Sequence, residues 1–362
     1  MKRVKKYIAL MLILTLILPN AAFLTAFADE EPIIITTGQE FVASVVSENF
    51  GKNFVISGTE ILDDGSLGII LPDIFASVEG FYGKLTGTSD KNNIQMSSKS
   101  LFSTFGAGET KISNLVLKGA TKDYTMSPVG NEKDFGVLVS EISDAAAQVE
   151  ITDIVNYVNI SNPSRRLALG GIVGFVKNTG ITIKNCVNFG DIAVSHDTVS
   201  VGGILGGANA AGVILIENCA NYGDFSGNKA YNYMGGIYGR TFEYNKTDTP
   251  ATSFTITRCS NYGNLTGSTV SSAYSGGIAC LVYKATISEC FNVGTIISGG
   301  RYASGILAIG RSTTPGDTLV TDCFNLGKIM GANSTTSLKT VESPSGIAGA
   351  YVQAMIWMRL WR

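Results

Sequence analysis

The side chains in this sequence that could do chemistry recur along it. Cys186, Cys219, Cys259, Cys290 and Cys323 follow one another at intervals of 33, 40, 31 and 33 residues, with Cys280 standing apart from the series. Two chemistries are open to such a row. Strands stacked about 4.8 Å apart bring Cα atoms within disulfide range, and an exported chain meets oxidising surroundings. The alternative, preferred here, is a column of buried thiols acting as small hydrophobes. Zinc is disfavoured, because no C-x-x-C and no Cys/His pairing occurs.

Other repeated groups invite similar pairs of readings. Asn188, Asn221, Asn261, Asn292 and Asn325, with Asn156 before them, sit two residues after the cysteine position. A ligand row is one reading; amides bonding one another and the backbone along a bend is the simpler one. Asp191 and Asp224 follow the turn glycine in consecutive copies, so their carboxylates could face a Ca²⁺ ion or form a retaining-glycosidase pair. The next copies carry Asn264, Thr295 and Lys328 there, which favours a solvated turn. His196, the one histidine, reads as a loop residue. Phe242 and Tyr244 in the longest insertion, with Tyr231 and Tyr233 upstream of it, are the best candidates for a contact surface, since inserted loops on one solenoid face tend to carry binding.

The elements that position these groups follow from the repeat itself. Its clearest unit is I-x-x-C-x-N-φ-G-x-φ, with φ apolar or aromatic, as in Ile183, Cys186, Asn188, Phe189, Gly190, Ile192. Each unit follows a Gly pair and an apolar pair, as in Gly170-Gly171-Ile172-Val173 and Gly202-Gly203-Ile204-Leu205. Segments such as Ile181-Thr182-Ile183 alternate with a period of two, which predicts strands with one edge buried. No single unit can bury that edge alone, so stacking is predicted: an all-β, right-handed, single-stranded parallel β-helix. Helical solenoids share the period but need long glycine-free amphipathic segments, and leucine-rich repeats need L-x-x-L-x-L; both are absent. The stretch from Arg240 to Ser253 reads as a loop inserted between strands that keep register. Residues 29–99 read as an N-terminal cap and first rungs, with a short capping helix over Gly38–Phe50, and residues 100–349 as the repeats.

Lys2, Arg3, Lys5 and Lys6, then an apolar run from Tyr7 to Leu18, then Ala26-Phe27-Ala28, make residues 1–28 a secretory signal peptide. That run is shorter than the ~20 residues a membrane span needs, so no membrane span is expected after cleavage. Removing its four basic residues from the 27 Lys and Arg leaves 23 against 29 acidic residues, a net charge of about −6. Nucleic acid is therefore an unsuitable partner. With 42 glycines and only 15% charged residues, the chain is too apolar for disorder and too glycine-rich for helices.

The run FYGKLTGTSDKNNIQM, then LFSTFGAGETKISNLVLKG, then recurring GGI-φ-G with I-x-N-C-x-N-φ-G-x-I, resembles the repeat region of bacterial surface and secreted proteins carrying GLUG-type motifs. Such regions are similar to pectin-lyase-like β-helices, and the resemblance covers about residues 50–350. It implies a secreted or cell-surface, adhesin-like module and no enzyme, because the motif is structural. One related class adds a zinc metalloprotease domain; H-E-x-x-H is absent here.

The function expected is thus a non-catalytic binding or stalk module without a cofactor, contacting an extracellular protein or glycan. The alternative is a polysaccharide lyase or glycosidase of the β-helix type, which would need clustered Asp, Arg and Lys on one strand face. The terminal AYVQAMIWMRLWR holds both tryptophans and matches no repeat, and reads as the tail of a truncated or frameshifted gene product.

Overall fold

The computed structural model describes residues 31–128, 133–143, 146–162, 168–196, 199–209, 212–227, 232–242, 253–267, 273–298, 302–311, 318–331, 343–345, 348–352 and 358–359. One coil shows the plan of the molecule. Strands Ala168–Gly170, Val173–Lys177, Ile181–Lys184, Val187–Asn188 and Ile192–Val194 follow in sequence. Each pairs in parallel with its counterpart one repeat later, so that Leu169 faces Val201, Val173 faces Leu205, Ile183 faces Ile216, Asn188 faces Asn221 and Ile192 faces Phe225. The pairing continues rung on rung into one 26-stranded sheet and two seven-stranded sheets. The chain is a parallel β-helix solenoid.

The alternation in the sequence explains which edge turns inward. Ile181, Ile183, Ile214, Ile216, Phe254, Ile256 and Ile287 are buried, while Thr182, Thr255 and Thr286 between them are not. Stacked apolar columns of this kind remove about 1.5–3 kcal/mol of side-chain transfer free energy per residue from water, against the entropy of ordering each rung. Strands on both sides of the long insertion stay in register, with Val213–Glu217 on Ser253–Thr257 and Leu205 on Tyr238. Arg240 and Thr241 belong to the strand Tyr238–Thr241, so the insertion starts later than its composition suggests.

Two turn devices set the corners. Directly before the cysteine position, Asn185, Asn218, Arg258, Glu289 and Asp322 all adopt φ of 53° to 54°. This left-handed conformation suits Asn and Asp and is costly for long side chains. Glu289 is exposed, so Glu289→Asn should raise the unfolding free energy by about 0.5–1 kcal/mol, read from the urea midpoint. The second device is close approach. A Cβ on Gly203 would lie 2.4 Å from the Gly236 carbonyl oxygen and 2.5 Å from Asn221 Oδ1. The Gly-pair motif and the Asn motif therefore require each other: the glycine leaves the space that the asparagine amide fills.

Ahead of the repeats, Ile33–Ile35, Asn53–Ile56 and Phe81–Gly87 already stack in parallel, and Phe81–Gly87 pairs onward with Phe102–Lys118. The α-helix spans Gly38–Ser44 and a 3₁₀ turn follows at Ser47–Asn49. It is shorter than the sequence suggests because the β-branched pair Val45-Val46 leaves the helical region, Val46 being extended at φ −124°. Thr37 caps it by accepting from the Glu40 N–H at 3.2 Å, and Glu40 accepts from the Thr36 N–H at 2.7 Å. Its buried Phe41 meets Phe75 edge-on. At the other end, Ala348–Val352 pairs with Leu307–Arg311, and Met358–Arg359 with Leu319–Thr321. Part of the segment that matches no repeat thus contributes paired backbone. Residues 1–28 lie outside the described residues. Among the described residues, no helix is long and apolar enough to cross a membrane.

Candidate functional site

All six cysteines carry free thiols. In the column they knit successive rungs: the Cys186 N–H donates to Cys219 Sγ at 3.5 Å, Cys259 to Cys290 at 3.4 Å and Cys290 to Cys323 at 3.4 Å. Each of the five column thiols donates to a carbonyl two residues back, as Cys186 does to Lys184 at 3.1 Å. Burial pushes the thiols of Cys219, Cys259 and Cys290 well up, and that of Cys280 too. Hydrogen bonding to Cys290, then burial, does the same for Cys323. Neutral, buried thiols are poor nucleophiles and poor metal ligands. The denatured, unreduced protein should release six thiols to a thiol reagent and the folded protein almost none over minutes; two or fewer in the denatured chain would establish disulfides instead.

The asparagines form one continuous amide ladder. Asn156 Nδ2 donates to Asn188 Oδ1 at 2.8 Å, Asn188 to Asn221 at 2.8 Å, Asn221 to Asn261 at 2.8 Å, Asn261 to Asn292 at 2.7 Å and Asn292 to Asn325 at 2.7 Å. Each also bonds the carbonyl two residues on, for example Gly223 at 2.9 Å. Five of the six are fully buried, and Asn325, at the end of the row, is partly so. Their hydrogen-bonding capacity goes to the bend, which leaves nothing for a ligand.

Asp191 and Asp224 do lie on adjacent rungs, at the exposed edge. Asp191 accepts from the Asp224 N–H at 2.7 Å, and Asp224 from the Asn264 N–H at 2.7 Å. The row begins with Asn159 accepting from Asp191 and ends with Asn264 accepting from Thr295. Each side chain caps the next rung's backbone. Among the described residues, no three His, Cys, Asp or Glu side chains converge to hold a metal ion. His196 is half-buried in the turn after Ile192–Val194.

Of the aromatics before and within the insertion, Tyr231 and Tyr244 lie outside the described residues. The Arg240 guanidinium carbon lies over both the Tyr233 and Phe242 rings, 4.2 and 3.9 Å from their centroids. Tyr233 continues into a row with Tyr274 and Tyr302 over a small cluster of Cys280, Leu281, Ala308 and Ile309. Their faces are occupied within the chain.

A different aromatic column is open to solvent. Tyr157, Phe189, Tyr222 and Tyr262, the φ residues after the ladder asparagines, stack at 4.9, 4.9 and 4.5 Å with ring planes within 17° of parallel. Each is 38–45% exposed. Phe291 meets Tyr262 edge-on and stacks on Phe324 at 5.1 Å, one position aside. Below the column's first ring the surface opens into a groove of about 1080 Å³. Val116 and Val155 lie along it, Tyr157 and Phe189 border it, and the Leu62–Asp64 turn and the loop 119–123 form its walls. The groove exists because the aromatic series stops there: Asn156 pairs with Leu117, so Tyr157 stands above Lys118. Lys118 is drawn aside, with Nζ 2.6 Å from Asp64 and 3.0 Å from Ser66 Oγ. That ion pair and the Ser66 hydrogen bonds hold the Asp64 carboxyl far below its usual range.

No family model matches this chain, and comparison with curated proteins and with solved structures found no match.

Proposed function

We propose that the chain is an exported, non-catalytic repeat module that holds an extracellular ligand on the outer face of its solenoid, as the resemblance to bacterial GLUG-type surface proteins implies. The groove at the foot of the exposed aromatic column carries this reading. It joins apolar and polar contact surface in one concave site, which is the usual form of a ligand pocket. The occupation of the repeated thiols, amides and Asp191/Asp224 in rung-to-rung contacts supports a binding rather than a chemical role.

The competing lyase or glycosidase reading predicts turnover. Purified protein incubated with polygalacturonate and with neutral plant and bacterial polysaccharides should yield no unsaturated or shortened products. Steady product release that scales with protein concentration would replace the module with an enzyme.

A further inference from the structure

We infer that the groove below Tyr157 is a subsite for an uncharged oligosaccharide, with the free face of the Tyr157 ring as its stacking platform. This rests on the binding role proposed above and names the ligand class for the same site.

The first support is the asymmetry of the column. Phe189 covers one face of Tyr157, whereas among the described residues no second ring stacks on Tyr157, which borders the groove. Phe189 and Tyr222 have rings on both faces and offer only edges. A flat apolar face with polar groups around it suits a pyranose, whose axial C–H bonds lie on an aromatic ring while its hydroxyls point outward.

The second support is the rim. Asp63, Asp123, Asp191 and Asn159 border the groove and can accept or exchange hydrogen bonds with vicinal hydroxyls. Among the described residues, Asp191 accepts from the next rung through Oδ1 alone. Among the described residues, Asp63 and Asp123 form no ion pair.

The third is charge. Among the described residues that line the groove, Asp63, Asp64, Asp123 and Asp191 stand against Lys118 and Lys122 alone, and Lys118 is already paired with Asp64. The resulting negative field opposes a polyuronate, the substrate class a β-helix lyase would take. An uncharged sugar meets no such penalty.

The test is calorimetric titration of the full chain with cellohexaose, xylohexaose and mannohexaose, beside a galacturonate hexamer and a lysine-rich peptide. At least one neutral hexaose should bind, about tenfold or more tighter than the galacturonate hexamer. Tyr157→Ala should weaken that binding about tenfold or more, while Tyr157→Phe keeps it within about threefold. Ala120→Trp, which fills the groove from its wall, should abolish it, with thermal melting confirming that each variant is folded. Tighter binding of the galacturonate hexamer, binding of the peptide alone, no binding of any neutral hexaose by folded protein, or affinity indifferent to Tyr157→Ala and Ala120→Trp would each overturn the assignment. None of these results bears on whether polysaccharide is cleaved, which is decided by product release.

Discussion

Replacing Asn221 with alanine should lower the unfolding free energy by about 3–6 kcal/mol, as should the same change at any amide inside the row. Three buried groups lose their partner at once. Asn188 Nδ2 loses its 2.8 Å acceptor, Asn261 Oδ1 its donor, and the Gly223 carbonyl the 2.9 Å bond that closes the turn. Each such group left unsatisfied away from water costs about 1–3 kcal/mol. Asn156→Ala should cost a comparable amount, because Asn188 Oδ1, the Val158 carbonyl and the Val158 N–H lose their partners there. Urea unfolding with an unchanged slope is the measurement. A loss below about 1 kcal/mol for Asn221→Ala would show that the ladder is not a supporting network.

Alkaline pH should weaken the folded chain steeply from about pH 9. Cys219, Cys259 and Cys290 ionise in the folded state only well above the 9.0 of an exposed thiol, because burial penalises the thiolate. Below pH 9 both states hold these protons and stability is indifferent to them. Above it the unfolded chain releases protons that the folded chain keeps, so stability falls as pH rises, by about 1.4 kcal/mol per pH unit for each thiol held neutral. Urea midpoints at pH 7, 8.5, 9.5 and 10.5 under reducing conditions would trace this, and Cys259→Ala should flatten the slope even though it lowers the starting stability. An equal slope in that variant would place the alkaline sensitivity elsewhere.

How far the molecule is legible in its sequence depends on whether a feature repeats. Cys186, Asn188 and Gly190 recur because inward side chains on every rung meet the same neighbours, so their columns show in the spacing of the residues alone. The left-handed bend beside the cysteines is half visible: Asn185 and Asn218 announce it, while Arg258 and Glu289 hide it by adopting the same φ against their preference. The exposed ring column is present in the repeat only as an apolar or aromatic position. Its exposure is hidden, because exposed and buried aromatics look alike in a period-two strand. The groove is illegible, being assembled from the Leu62–Asp64 turn, the loop 119–123 and Tyr157, which share no motif. Tyr233 and Phe242 stand out in the sequence as aromatics before and within the insertion, yet they close on Arg240.

The amide ladder also has a sense. From Asn156 to Asn325 every side-chain N–H₂ points to the following rung and every oxygen to the preceding one. The small dipoles add head to tail like those of a helix backbone, polarising one another along the axis. The two extremities of the row are therefore chemically unlike, one ending in an oxygen and the other in an N–H group. A coil grafted after Asn325 prolongs the row by turning an acceptor toward it, and one grafted before Asn156 by turning a donor.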